Sequence, residues 1–296
     1  MASAALRLPA GGANIAAMSH SIVVIARSAG VFALAVLPSL TQSSCSSPDS
    51  AARHADAASV APRPAAAPLT AATTTHERST REITVKSELA YLLTLPQGYV
   101  APVGDGAFGC WPMVLFLHGM GERGGDLELV ARHGPPKRLA AGFELPAIVV
   151  SPQCPLSPQF GWSTTAVLAL LDDVCSRHAV DRDRIYLTGL SMGGFGTWAV
   201  ACEAPERFAA IAPICGGGDP TKAARLVGLP TWAFHGGADR VVPLAQSEVM
   251  VRAIEAAGGT PKFTIYDGVD HDSWTRTYDD PAFWEWLLAQ RRPAGR

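Results

Sequence analysis

From about residue 82 onward, short apolar runs alternate with longer stretches in which apolar residues recur every three or four positions. The runs Glu82–Val85, Ala90–Leu95, Met113–Leu117, Ala147–Ser151, Arg184–Thr188, Ala209–Ile214, Thr231–Phe234 and Lys262–Tyr266 predict strands. The stretches Thr164–Ser176, Gly193–Glu203, Pro243–Ala257 and Pro281–Gln290 carry helical spacing. VLFL, AIVV and RIYLTG are apolar throughout, as strands covered on both faces must be. Strand–helix alternation over residues 82–292 predicts one α/β domain, a mostly parallel sheet with helices on both faces. The first two runs have no helix between them, which predicts an antiparallel edge.

Before residue 82 the texture is different. Residues 1–45 contain Arg7 and Arg27 but no acid, then the apolar run Ala29–Leu37 and small polar residues up to Cys45. A basic start, a short apolar core and a small-residue exit make up an export signal, and an acid-poor transit peptide is the competing reading. The apolar run is too short to cross a bilayer, which needs roughly 20 residues. Cys45 after Ser43-Ser44 resembles a lipoprotein cleavage site, with Gln42 standing where that pattern has a leucine-like residue. Membrane attachment through a lipidated Cys45 is the corresponding expectation. Residues 46–81 are rich in Ala, Ser, Thr and Pro and lack the large apolar side chains that would offset the entropy of ordering them. They read as a disordered tether. The catalytic domain is then 82–292, in an exported protein.

Charge narrows the partners. With 24 Lys+Arg against 26 Asp+Glu the chain has no cationic excess, and nucleic acid is excluded as its main partner. Cys110, Cys154, Cys175, Cys202 and Cys215 follow no zinc spacing and include no C-x-x-C, so no metal is implied. Export would permit disulfides among them, without fixing which.

The chemistry centres on Gly189-Leu190-Ser191-Met192-Gly193-Gly194, between the strand RIYLTG and the helix beginning GFGTW. A serine hydroxyl attacks well only when it is exposed and next to a base. A tight strand-to-helix turn lifts it above the sheet, and glycines stand where a Cβ would collide. Downstream, WAFHGGAD ends in Asp239 and a later strand leads to His271. The order Ser191, Asp239, His271 is that of an α/β-hydrolase triad: nucleophile, orienting acid and general base. Asp267, Asp270 and Asp272 are weaker candidates for the acid. His235 at a strand end reads as a turn residue, and His118 and His133 as ordinary turn or surface residues. The segment Leu117-His118-Gly119-Met120-Gly121 ends another strand, so the amides of Met120 and Met192 are the candidate oxyanion donors. No cofactor is required, because protein groups supply acid, base and donors.

LFLHGMGERGGD, VVSPQCP, RIYLTGLSMGGFGTW, APICGGGDP, WAFHGGADRVVP and DHDSW resemble the carboxylesterase and predicted-peptidase branch of α/β-hydrolases. That branch is similar to phospholipase/carboxylesterases and to polyhydroxybutyrate-depolymerase and feruloyl-esterase-like enzymes. The resemblance covers residues 85–292 and implies the same triad and amide pair. Dienelactone hydrolases share the fold but use a cysteine nucleophile, so Ser191 argues against their activity. Gln153, Trp162 and Trp274 are candidates to line the substrate pocket. Glu122 and Arg123 could meet a polar substrate group or pair within their loop. The segments after Ser191 return quickly to regular structure, which leaves no room for a cap domain. The expected reaction is ester hydrolysis on a small or polymer-linked substrate. A peptidase on the same fold and a catalytically silent envelope protein are the alternatives.

Overall fold

The computed structural model describes residues 15–25, 84–101, 110–157 and 161–292. Eight strands form one sheet: β1 (Ile15–Ile25), β2 (Thr84–Thr94), β3 (Trp111–Leu117), β4 (Ile148–Pro152), β5 (Val180–Leu190), β6 (Ala210–Ile214), β7 (Trp232–Gly236) and β8 (Lys262–Tyr266). Their order is β1-β2-β4-β3-β5-β6-β7-β8. From β4 to β8 every pairing is parallel, and β2 runs antiparallel to β4, with Tyr91 opposite Pro152 and Thr94 opposite Val149. The two runs expected to form an antiparallel edge with each other are instead one strand, joined through Lys86-Ser87-Glu88-Leu89, and its antiparallel partner is β4. Of the segment read as an export signal, Ile15–Ile25 is described, as β1. The run Ala29–Leu37, Cys45 and the tether 46–81 lie outside the described residues.

Among the described residues six helices cover the sheet: α1 (Gly134–Ala140), α2 (Thr164–Arg177), α3 (Met192–Glu203), α4 (Ala245–Ala256), α5 (Trp274–Asp279) and α6 (Pro281–Ala289). The period-2 alternation of strand side chains decides what each layer buries. Met113, Leu115 and Leu117 of β3 point into one core with Val167, Leu170 and Leu171 of α2, Trp198 of α3 and Met250 of α4. Val114 and Phe116 point the other way, into a second core with Leu139 of α1, Tyr278 of α5 and Phe283 of α6. Strands between two such layers have no solvent face, which is why their sequences are apolar throughout. Among the described residues no helix is long and apolar enough to cross a membrane.

The carboxyl edge of the sheet carries short helical pieces rather than an added domain among the described residues. A 3-10 turn at Met120–Glu122, another at Leu127–Arg132 and α1 occupy the path from β3 to β4, and one 3-10 segment, Pro220–Leu226, lies between β6 and β7. No helical cap is inserted among the described residues. At the opposite edge the chain end is fastened: the Arg292 amide donates to the Asp183 carbonyl (2.8 Å) and its guanidinium to the Asp183 carboxylate (2.7 Å).

Candidate active site

Ser191 occupies the turn between β5 and α3 and has φ +52. Among the described residues, only Ser191 and Cys215 are non-glycines with positive φ. They are also in contact, since the Ser191 amide donates to Ile214 O (3.0 Å) and reaches Cys215 Sγ at 3.3 Å. Such a backbone costs on the order of 1–3 kcal/mol per residue and persists where packing imposes it. The packing here is visible in Gly193, whose absent Cβ would overlap the Leu117 carbonyl oxygen and lie 2.5 Å from its carbon and 2.7 Å from His118 O. The turn is thus wedged against the end of β3, and the serine is thrown forward.

Three loops bring three side chains into a row. Ser191 follows β5, Asp239 follows β7 and His271 follows β8. His271 Nε2 is 2.9 Å from Ser191 Oγ, and His271 Nδ1 is 2.7 Å from Asp239 Oδ2. A carboxylate can only accept, so Nδ1 carries the ring hydrogen and Nε2 is left as the acceptor for the Ser191 hydroxyl. The other Asp239 oxygen, Oδ1, accepts from the amides of Val241 (2.9 Å) and Val242 (2.8 Å). The Asp239 side chain is wholly buried, whereas His271 keeps 18% exposure toward solvent. Asp270 turns aside to Arg240, and Asp272 accepts from the Thr275 amide (3.0 Å), so neither competes for the imidazole.

The loop that begins Gly119-Met120 is held from four directions. His118 Nδ1 donates to Gly119 O (2.6 Å), and its Nε2 accepts from the Cys154 amide (2.9 Å), which leaves the ring one hydrogen and no charge. Gln153 donates to Glu122 O (2.9 Å) and Asp126 O (2.6 Å). Arg123 donates to Met120 O (3.2 Å), and the Trp162 indole to His118 O (3.3 Å). Met120 opens a 3-10 turn and Met192 opens α3, positions whose N–H groups have no partner within their own helix. A loop fixed in this way can hold donors in place before any charge develops.

Several sequence expectations change here. Gln153, expected in the pocket, is 2% exposed and spends its amide hydrogens on the loop carbonyls. Trp162 leans on Gly196 of α3, where a Cβ would meet its ring at 2.7 Å, and edges the His118 ring at 4.9 Å. Trp274 sets its ring at 89° to His271, 5.2 Å between centroids, with His133 on the other side at 5.6 Å. It braces the base rather than opening a hole. Glu122 turns inward, 5% exposed, and lies 3.8 Å from both His118 and His133, while Arg123 serves its own loop. His118, read as an ordinary turn residue, is fully buried and is a main support of the loop. The one sign of this along the chain is weak, a histidine at the very end of an apolar strand.

Burial lowers the His118 pKa from 6.5 to about 4. Between those values the unfolded chain takes up a proton that the fold refuses. This contribution is therefore complete above pH 6.5 and shrinks as the pH falls toward 4, by roughly 3 kcal/mol in all. His235, also lowered by burial, acts in the same direction. Calorimetry at pH 7, 5.5 and 4.5 should show the melting temperature falling at each step; a constant value would contradict a buried neutral His118.

Cys154, Cys175, Cys202 and Cys215 are buried free thiols. Cys215 Sγ, an Asp239 oxygen and a His271 nitrogen lie within 4.8 Å of one another. Their partners already lie in the protein: burial pushes the Cys215 thiol up to about 12, and Asp239 and His271 bond each other. The group is built as a relay rather than as a cation cage.

A parallel sheet with helices on both faces, a serine on a strained strand-to-helix turn and a buried Asp–His pair at the same edge define the α/β-hydrolase class. The sequence pattern of the dienelactone hydrolase family matches residues 161–282. A solved thermostable esterase is 33% identical, with a TM-score of 0.58, covering 72% of this chain and 68% of that one. The poly(3-hydroxyalkanoate) depolymerase C of Paucimonas lemoignei is 32% identical over 104 residues, 35% of this chain and 24% of its own length. A ferulic acid esterase structure shares the fold at 19% identity and a TM-score of 0.51, over 68% of this chain and 93% of that one. Through its relation to the thermostable esterase the chain belongs to the α/β-hydrolase esterases; it carries the dienelactone hydrolase pattern over residues 161–282 and spans about a quarter of the length of the curated depolymerase it matches.

Proposed function

We propose that the protein is a serine carboxylesterase that works through an acyl-enzyme. The observation that carries this reading is the row Ser191–His271–Asp239, closed by contacts of 2.9 and 2.7 Å. Ser191 Oγ attacks the ester carbonyl carbon while His271 Nε2 takes its proton. Asp239 holds the ring in the tautomer that can accept, and stabilises the imidazolium that results. The carbonyl oxygen becomes negative and is met by the amides of Met120 and Met192. Collapse of this intermediate expels the alcohol, which receives the proton from His271. A water deprotonated by His271 then attacks the acyl-enzyme, and release of Ser191 restores the starting state.

The family name does not bring its substrate with it, because serine stands at the nucleophile's position. The esterase and depolymerase names of the relatives support an ester substrate, and the short helical pieces at the carboxyl edge support one that is presented from outside, such as the end of a larger molecule. Export through residues 1–45, with cleavage that would take the edge strand β1 away and leave β2 at the edge, and with a lipidated Cys45 and the tether 46–81, would place the enzyme where such material is met. Labelling with a fluorophosphonate, followed by hydrolysis of p-nitrophenyl esters from C2 to C12 and of aminoacyl anilides, tests the reading. Label on Ser191, and ester rates that peak at short chains, are expected. Label elsewhere would defeat the assignment, activity rising steadily beyond C10 would defeat the open site, and anilides cleaved faster than esters would favour a peptidase.

A further inference from the structure

A second histidine stands behind the acid. His235, the penultimate residue of β7, is fully buried and places Nε2 3.3 Å from Asp239 Oδ2, the same oxygen that binds His271. The same nitrogen is 2.9 Å from Val242 O. A carbonyl only accepts, so Nε2 must carry a hydrogen, shared between Val242 O and Asp239 Oδ2. Burial lowers the ring's pKa and keeps it neutral, which leaves Nδ1 bare and 2.7 Å from Ser247 Oγ in the first turn of α4. Ser247 is itself fully buried, and its single hydroxyl hydrogen is shared between His235 Nδ1 and Gly216 O, the latter 2.8 Å away. Gly216 follows Cys215, whose sulfur touches the Ser191 amide. The contacts thus run from Ser191 through His271, Asp239, His235, Ser247 and Gly216 and return to the nucleophile's own turn.

We propose that His235, braced by Ser247, is a positioning residue for Asp239. Its Nε2–H fixes Oδ2 and draws off part of the carboxylate's charge, so that the His271–Asp239 pair is less basic than it would be alone. This rests on the reading of Ser191 as nucleophile. The groups facing the row are Asp239 after β7, His271 after β8, the Ser247 hydroxyl from α4 and the Cys215 thiol after β6, which burial keeps uncharged. Arg240 and Asp270 pair with each other at the surface nearby.

The sign of the effect follows from charge. A carboxylate that loses a donor attracts the His271 imidazolium more strongly, so the base stays protonated to a higher pH. The test compares His235→Gln, His235→Asn and Ser247→Ala with the unaltered protein, following kcat and KM for p-nitrophenyl acetate across pH. A glutamine amide nitrogen can stand where Nε2 was, and an asparagine amide nitrogen where Nδ1 was. His235→Asn should lose about tenfold in kcat with KM unchanged, and its acid limb should move to higher pH. His235→Gln should restore most of the rate and the original limb. Ser247→Ala should shift both quantities in the direction of the asparagine variant, to a smaller extent, which keeps the test open if His235→Asn fails to fold. A folded His235→Asn with the original kcat and acid limb would overturn the proposal. So would Asn and Gln variants equally slowed, with lowered melting temperatures and an unmoved limb, the pattern of a packing role. Ser191→Ala separates the two readings: if it stays active the nucleophile assignment fails, and if it is dead while the His235 and Ser247 variants behave like the original, only His235 is wrong.

Discussion

Replacing Ser191 with alanine should lower kcat on p-nitrophenyl acetate by roughly 10⁵–10⁶, because a nucleophile and its base act as a unit and removing one disables the other. What rate remains would come from the oxyanion donors and from binding. KM should change little, since the hydroxyl takes part in bond-making rather than in holding the ester. The fold should survive, because Ser191 makes its structural contacts through its backbone, to Ile214 O and Cys215 Sγ. Glycine at the same position should behave differently from alanine. At φ +52 a Cβ is under strain, so Ser191→Gly should melt above Ser191→Ala, by an amount equivalent to about 1 kcal/mol. Active-site titration and calorimetry on the two variants check both statements. An alanine variant retaining even a hundredth of the activity would remove Ser191 from the mechanism.

The second large effect is expected from Gly193→Ala. A methyl group there would be driven into the Leu117 carbonyl and against His118 O. Both neighbours are backbone atoms of a central strand end, and they cannot rotate away as a side chain could. The nearest relief is for the start of α3 to lift from β3. That movement would carry the Met192 amide and Ser191 with it, and would loosen the His118–Gly119 corner. A loss of roughly 3 kcal/mol is expected, at the upper end of what overpacking usually costs, because the atoms met are fixed backbone. For a domain of this size that corresponds to a fall of about 10 °C in melting temperature. Activity at 25 °C should fall with it, even though no catalytic atom is touched. Gly121→Ala is the control: no atom lies within 4 Å of its absent Cβ, and it should melt with the original protein.

Much of this arrangement was legible in the sequence, for a physical reason. Chemistry in such a sheet gathers at the carboxyl edge, so residues directly after strands must come near one another wherever they lie in the chain. Ser191, Asp239 and His271 each follow a strand, and their meeting could be expected. What escaped was of two kinds. Helix α1, absent from the expected helices, begins Gly-Pro-Pro, residues that blur helical spacing although the first turn of a helix needs no N–H from them. Helix α5 has six residues, too few to display a period. The other kind concerns buried polar side chains. Gln153 and His118 carry no local pattern that says whether an amide or imidazole faces a substrate or a loop carbonyl. His235 is the clearest instance: the turn it ends was visible, but the carboxylate behind which it sits is set by the path of the chain from β7 to Asp239.

The fastening of Arg292 to Asp183 has a practical consequence. Asp183 lies near the start of β5, and Ser191 directly follows its end, so the described carboxyl-terminal residues are held at the face of the domain remote from the nucleophile. A protein immobilised on a bead or fused to a carrier through that end would turn its open site outward, toward whatever solid or dissolved ester is supplied. By contrast β2 enters at the other face, since its Tyr91 pairs with Pro152 at the finish of β4. A carrier joined directly ahead of Thr84 and one joined after Arg292 would therefore present the same catalyst in opposite orientations, which makes the point of attachment decisive on an insoluble substrate.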